Sequence, residues 1–254
     1  MDKGIYTAAA SIRSDKLRQL NQTHEMSNVS SVAFKKAFQI SDKTYRVDGE
    51  SSLSSRFFKT SVSLGRVDLT PGPRIVTQNP LDVFVEGKGV LGVFNDSDQL
   101  AFTRRGDFRL DGQGVLVNGE GRKIASDDGG EIQLDRALVH RISKEGVIYA
   151  TDTSQEVAVD VEVGRLLLRN AANTELEKTK DGLFKPSGFN EPADFVGSDE
   201  PVFVTPFGLE GSSVKSYDVL TRMIEIERAF EIKINIIKEL SDMAEKSTSL
   251  ISVT

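Results

Sequence analysis

The chain has 254 residues, a formal net charge of −6 and no cysteine. That length is enough for one large domain or two modest ones with real cores. The missing thiols exclude disulfides, zinc–thiolate sites and cysteine catalysis, and the acidic balance excludes a global basic field that would recruit nucleic acid or anionic membrane. Every apolar run falls short of the roughly 20 residues a membrane helix needs, so no membrane insertion is expected. The opening Met1-Asp2-Lys3-Gly4-Ile5-Tyr6 lacks the basic segment and apolar core of a secretory signal. A chain that leaves the cytoplasm without one needs a dedicated export route.

Charge is spread unevenly: residues 1–40 carry +3 and residues 211–254 carry −1, which leaves −8 for the middle. Residues 3–33 hold Ala8, Ala9 and Ala10 with Ile5, Ile12 and Leu20, a ragged helical period broken at Lys16. No proline precedes Pro71, so one helix of about 30 residues, roughly 45 Å long, is expected here. Residues 41–79 change character, with six serines between 51 and 63 and then Thr70-Pro71-Gly72-Pro73. This stretch is too polar to hold a core alone and reads as an extended connector that orders on its neighbours.

From about 80 to 205 the period becomes two. Val157, Val159, Val161 and Val163 alternate with Ala158, Asp160 and Glu162, the pattern of a half-buried strand. Short apolar runs at 83–85, 90–94, 108–110, 115–117 and 147–149 are separated by turn dipeptides such as Asp111-Gly112 and Asn118-Gly119, which predicts a compact antiparallel β domain. The last 40 residues return to helix: Val219, Met223, Ile226, Phe230, Ile237, Leu240 and Ala244 follow steps of four and three, with Lys233 the one miss. Leu220, Ile224, Ile232, Ile234, Ile236 and Met243 lie off that seam, and a lone amphipathic helix needs only one apolar stripe. This helix therefore expects neighbours on several sides.

The residues give no sign of chemistry. His24 and His140 fall in different elements, no Gly-x-Ser-x-Gly elbow is present, and no nucleophile, base and orienter converge; no enzymatic role and no small-molecule substrate are expected. Asp96-Ser97-Asp98 starts like a calcium loop, but Leu100 and Ala101 stand where a ligand and the turning glycine belong, so neither metal nor other cofactor is expected. Asp127-Asp128-Gly129-Gly130-Glu131 reads as a hairpin turn. Gly87-Lys88-Gly89 is followed by the strand-like Val90–Phe94, whereas a phosphate cradle needs a helix N-terminus.

Several motifs, in order along the chain, carry a family resemblance. Gly208-Leu209-Glu210-Gly211-Ser212-Ser213-Val214 with Arg222-Met223-Ile224-Glu225 and Arg228-Ala229-Phe230-Glu231 resembles the C-terminal signature of flagellar rod and hook axial proteins. Asn79-Pro80-Leu81-Asp82-Val83, Phe102-Thr103-Arg104-Arg105-Gly106-Asp107-Phe108, Leu110–Val117 and Asp181-Gly182-Leu183-Phe184 resemble that family's β domain. Ile5-Tyr6-Thr7-Ala8 and Asp68-Leu69-Thr70-Pro71-Gly72 are most similar to its F-type, proximal-rod branch. The chain departs from the family where the first helix closes: only Asn28-Val29 remains of the usual Ala-Asn-Asn-Leu-Ala-Asn-Val run, Ala33 replaces the glycine before Phe34, and Arg105 replaces an asparagine.

Together these readings predict an α+β fold with paired, coiled-coil-like N- and C-terminal helices and a central, mainly antiparallel β domain. The expected division is 1–40 for the first helix, 41–79 for the connector, 80–207 for the β domain and 208–254 for the last helix. The resemblance implies a non-catalytic subunit of the bacterial flagellar proximal rod, exported by the flagellum's own type III apparatus, spanning the periplasm within the basal body and passing torque through packed helices. Its partners would be copies of itself, other rod proteins and the export apparatus, with no nucleic acid. The expected subunit contacts are Ile5, Ala9, Ile12 and Leu20 at one end and Val219, Met223, Ile226, Phe230, Ile237 and Leu240 at the other. The alternatives are a distal-rod or hook subunit of the same family, or a secreted β-domain adhesin with an oligomerising helix.

Overall fold

The computed structural model describes residues 2–37, 41–47, 56–62, 65–152 and 160–251. It is α+β: a helix at each end and antiparallel strands between them. The chain divides into two compact units. One comprises Met1–Ser27, Gln39–Leu64 and Lys215–Thr254, and the other Asn28–Phe38 and Gly65–Val214.

The helical unit contains α1 (Asp2–Ser27), the hairpin β1 (Ser41–Val47) with β2 (Arg56–Val62), and α2 (Ser216–Ile251). The serine-rich stretch read as a connector thus supplies a hairpin to this unit, and α1 contacts β2 as well as α2. A β-branched, aromatic run such as Arg56-Phe57-Phe58-Lys59-Thr60-Ser61-Val62 is good strand material once a partner is present. At 36 residues α2 is roughly 54 Å long at 1.5 Å per residue. Helix α1 closes at Ser27, short of the expected 33, where Thr23 and Ser27 donate their hydroxyls back to the carbonyls of Gln19 and Thr23. A turn from Asn28 to Ser31 follows.

The β unit is a stack of small antiparallel sheets. Its strands are β3 (Arg74–Val76), β4 (Val83–Val85), β5 (Gly89–Phe94), β6 (Leu100–Thr103), β7 (Phe108–Leu110), β8 (Leu116–Asn118), β9 (Val139–Ile142), β10 (Val147–Thr151), β11 (Asp160–Arg165), β12 (Leu168–Asn170), β13 (Leu176–Lys178), β14 (Phe184–Pro186), β15 (Val204–Pro206) and β16 (Gly208–Glu210). The largest sheet runs β12-β5-β6-β14-β13, a second runs β11-β10-β9, and the pairs β15-β4, β16-β3 and β7-β8 complete the unit. Val83, Val85, Leu91, Val93, Leu116, Ile124 and Ile148 lie in the main core, with a smaller cluster around Phe102, Leu167 and Phe184.

Turn chemistry sets the hairpins. Asn95, Asp111 and Asn118 each accept, through a side-chain oxygen, the N–H groups two and four residues on. Each side chain therefore stands in for a backbone acceptor and closes its loop. The stretch that begins like a calcium loop is one of these three turns.

The alternating valines behave differently from expectation. Val161 and Val163 lie on β11, an edge strand, and are exposed; Val157 and Val159 lie outside the described residues.

A buried ionic node joins segments distant in sequence. The Glu210 carboxylate accepts from Lys35 Nζ at 2.5 Å, the Gly72 N–H at 2.5 Å and Arg104 Nε at 2.6 Å, and all three charged side chains are fully buried. Arg104 also donates to the carbonyls of Val85, Gly87 and Gly89, so the glycine turn at 87–89 serves as an arginine cradle. Lys35 donates further to Thr70 O. Gly72 approaches so closely that a Cβ there would stand 2.3 Å from Gly211 O. The backbone carbonyl of Glu210 accepts from Ala33 N–H at 2.7 Å. Ala33 holds φ at 54°, in the left-handed region that favours glycine, and is buried.

Two cations share one carboxylate in this node, and their contributions differ. Burial, reinforced by the Arg104 charge, pushes the Lys35 ammonium below its ordinary 10.5 against the pull of Glu210, so Lys35 is held where charge is disfavoured. Glu210→Gln strands both cations and should destabilise the β unit by about 3–5 kcal/mol, whereas Lys35→Met should cost much less. Urea unfolding followed by circular dichroism checks the order, and equal losses would show that the lysine is as necessary as the carboxylate.

Candidate subunit interface

Helix α1 turns an unusual face inward. Among the described side chains of α1 the buried ones are Ser14, Asp15, Gln22 and Glu25, all polar, while Leu17 and Leu20 are 41% and 54% exposed. At 100° per residue, Ser14, Asp15, Gln22 and Glu25 share one side of the helix, Leu20 points away from it and Leu17 lies at its edge. Burial of polar groups is tolerated only where partners meet them. Lys233 on α2 donates to the Asp15 carboxylate, and Arg222 lies 3.7 Å from Glu25. As the α1 number rises from 15 to 25 the α2 number falls from 233 to 222, so the two helices run antiparallel.

Lys233, the miss in the seam of α2, is thus the residue that answers Asp15. Around it Val219 is fully buried, and Met223, Ile226, Ile237 and Leu240 are half-buried. Phe230, also expected as a subunit contact, is 41% exposed. On α1 Ile12 is half-buried and Leu20 is exposed; Ile5 and Ala9 lie on the helix backbone, their side chains outside the described residues. The second set of α2 residues forms a separate outer surface: Leu220, Ile224, Ile232, Ile236 and Met243 are all exposed, Ile232 at 60%, and Ile234 is half-buried. Sequence periodicity located the seam of α2 but not the polar face of α1, which carries no apolar stripe to mark it.

Elsewhere the surface shows paired charge. An open recess of about 600 Å³ is lined by Leu168, Arg169, Asp194 and Phe195 among others, and Arg169 spans it, bonded to both Asp194 and Asp127. Arg105, the departure from the family asparagine, grips Asp107 with two nitrogens at 2.8 and 2.9 Å and reaches Glu120. Among the described residues no group of three or more His, Asp and Glu side chains could hold a metal ion, and no described helix is long and apolar enough to cross a membrane.

Residues 84–150 match the family described as the flagellar hook protein FlgE/F/G D1 domain, and residues 208–250 match the flagellar basal body rod FlgEFG protein C-terminal family. The flagellar basal-body rod protein FlgF of Escherichia coli K12 is 29% identical over 262 residues, covering 100% of both chains. The chain is thus similar to the flagellar rod and hook family in both stretches and to a rod protein over its whole length. A FlgG rod protein of Caulobacter vibrioides is 26% identical over 265 residues, covering 98% of this chain and 99% of that one. The FlgG of Bacillus subtilis is 26% identical over 178 residues, covering 68% of this chain and 66% of its own. The first matched stretch of this chain runs from β4 to β10, and the second takes in β16 and all but the last residue of α2.

His140, on β9, is buried, and its Nε2 meets no hydrogen-bond partner among the described residues. Burial lowers its pKa below the ordinary 6.5, against a smaller upward pull from Asp135. The unfolded chain therefore takes up a proton that the folded chain refuses, and stability falls as pH drops below about 6.5. The midpoint of thermal unfolding of the β unit should decline between pH 7 and 5, and His140→Leu should flatten that slope.

Proposed function

We propose that this structural subunit of the flagellar basal body forms part of the proximal rod and passes torque through terminal helices packed, coiled-coil fashion, against those of neighbouring copies and other rod proteins. The reading rests on one observation: in the single chain, α1 and α2 both leave a set of large apolar side chains exposed. Seven of these, Leu17, Leu20, Leu220, Ile224, Ile232, Ile236 and Met243, are each roughly half exposed. Fully burying such side chains contributes about 1.5–3 kcal/mol each, so the exposed half of seven gives roughly 5–10 kcal/mol. The loss of translational and rotational freedom on association is of the same order. A dilute chain then stays single, and contacts on several sides at once tip the balance toward a tube.

A close-packed tube of helices has low compressibility, which suits a shaft. Whole-length similarity to FlgF favours the proximal rod over a distal-rod or hook role, and kinship with rod proteins leaves the adhesin reading without support. The subunit has no catalytic part to play, and its route outward is the flagellar type III export apparatus, into a rod that spans the periplasm.

Ile236 lies on the outer surface of α2 and away from the seam. Ile236→Asp should leave the circular dichroism and unfolding of the purified chain unchanged, yet remove the chain from isolated basal bodies and abolish swimming in soft agar. Phe230→Asp should act in the same direction. Normal rods and full motility with Ile236→Asp would sink the outer-face reading.

A further inference from the structure

A rod built from related proteins sets each helix a recognition problem. Apolar stripes are promiscuous: Leu against Ile packs nearly as well in one register as in another. The outer surfaces of α1 and α2 are of this kind. The inner face of α1 is not. It buries two carboxylates, Asp15 and Glu25, and a carboxylate buried without a cation costs far more than an imperfect apolar contact.

We propose that Asp15 with Lys233 and Glu25 with Arg222 form a charged registry key, which admits against α1 only an α2 of this chain's own type, in one antiparallel register. The inference rests on the paired-helix reading given above. The positions support it. The residue numbers of the two pairs sum to 248 and 247, so one antiparallel alignment serves both at once. Sliding α2 by one heptad in either direction sets Ile226 or Leu240 against Asp15, and in the second case Ala229 against Glu25. Either slip keeps the apolar seam in phase and takes from Asp15 its hydrogen-bonded cation, leaving, among the described residues, only Arg18 of its own helix at 3.9 Å. A foreign helix without cations eleven residues apart is rejected the same way. The selection works by penalising wrong partners rather than by strengthening the right one. Single polar residues placed in apolar helix seams set register and partner by this physics.

The two pairs contribute unequally. Lys233 hydrogen-bonds Asp15 directly, while Glu25 Oε2 accepts no hydrogen bond among the described residues and meets Arg222 only as a nearby charge. Asp15 with Lys233 is therefore the pair to reverse. The test uses the full chain in cells lacking the native copy, scored by its amount in purified basal bodies and by swimming rate. Asp15→Lys alone and Lys233→Asp alone should each lower incorporation at least tenfold, and the two combined should recover to within about threefold of the wild type. A combined variant no better than the single ones, or single variants that incorporate normally, would overturn the key. A neutral pair, Asp15→Asn with Lys233→Gln, separates folding from selection: it should keep its helical circular dichroism and still incorporate poorly, and normal incorporation would count against the proposal. Absence of the wild-type chain from basal bodies would instead remove the rod reading itself, whatever the swaps did.

Discussion

Glu210 gathers segments of the β unit that lie far apart in sequence. The polypeptide crosses between its two units after Ser27, Phe38, Leu64 and Val214, and three of the segments adjoining these crossings meet at this one residue. Its backbone carbonyl holds Ala33, its carboxylate holds Lys35, Gly72 and Arg104, and it lies on β16, four residues before Val214. A fully buried carboxylate with two cations and a backbone N–H leaves little freedom, because moving any one partner exposes the desolvation cost of the others. The left-handed Ala33 and the crowded Gly72 are the backbone accommodations to that meeting.

The helical unit solves a different problem. A self-contained helix pair would bury its leucines and isoleucines and show water its charges. Here the described part of α1 does the reverse, with Asp15 and Glu25 inside and Leu17 and Leu20 outside, and α2 carries a half-buried apolar seam and a second, exposed apolar surface. On the proposed reading, polarity inside fixes which helices pair and where, and apolar surface outside provides the drive to assemble. Specificity and affinity thus sit on opposite faces of the same helix.

Much of this was legible in the sequence wherever a residue's behaviour depends on its near neighbours. The steps of four and three from Val219 to Leu240 located the seam of α2, since helical period is a local property. Asp111-Gly112 and Asn118-Gly119 marked loops because an Asx side chain closes its own turn within four residues. The motifs around Asp82, Gly106 and Glu210 pointed to the rod and hook family that the matched stretches bear out. The stretch 41–79 was harder to read: Ser41–Val47 and Arg56–Val62 become a hairpin through pairing with each other and contact with α1, and Arg74–Val76 becomes a strand by pairing with Gly208–Glu210.

By itself the sequence determined the helical ends, the antiparallel β character of the middle and the surplus of apolar surface on α2, all of which follow from periodicity and turn chemistry over a few residues. Only the tertiary structure decided that Lys233, a blemish in the seam, is the partner of Asp15, that Leu20 faces out, and that Lys35, Arg104 and Glu210 share one buried site. The physical reason is distance along the chain. A charge in isolation reads as solvated surface, and whether it is buried and paired depends on a group 106 to 218 residues away, brought within hydrogen-bond reach only by the complete fold.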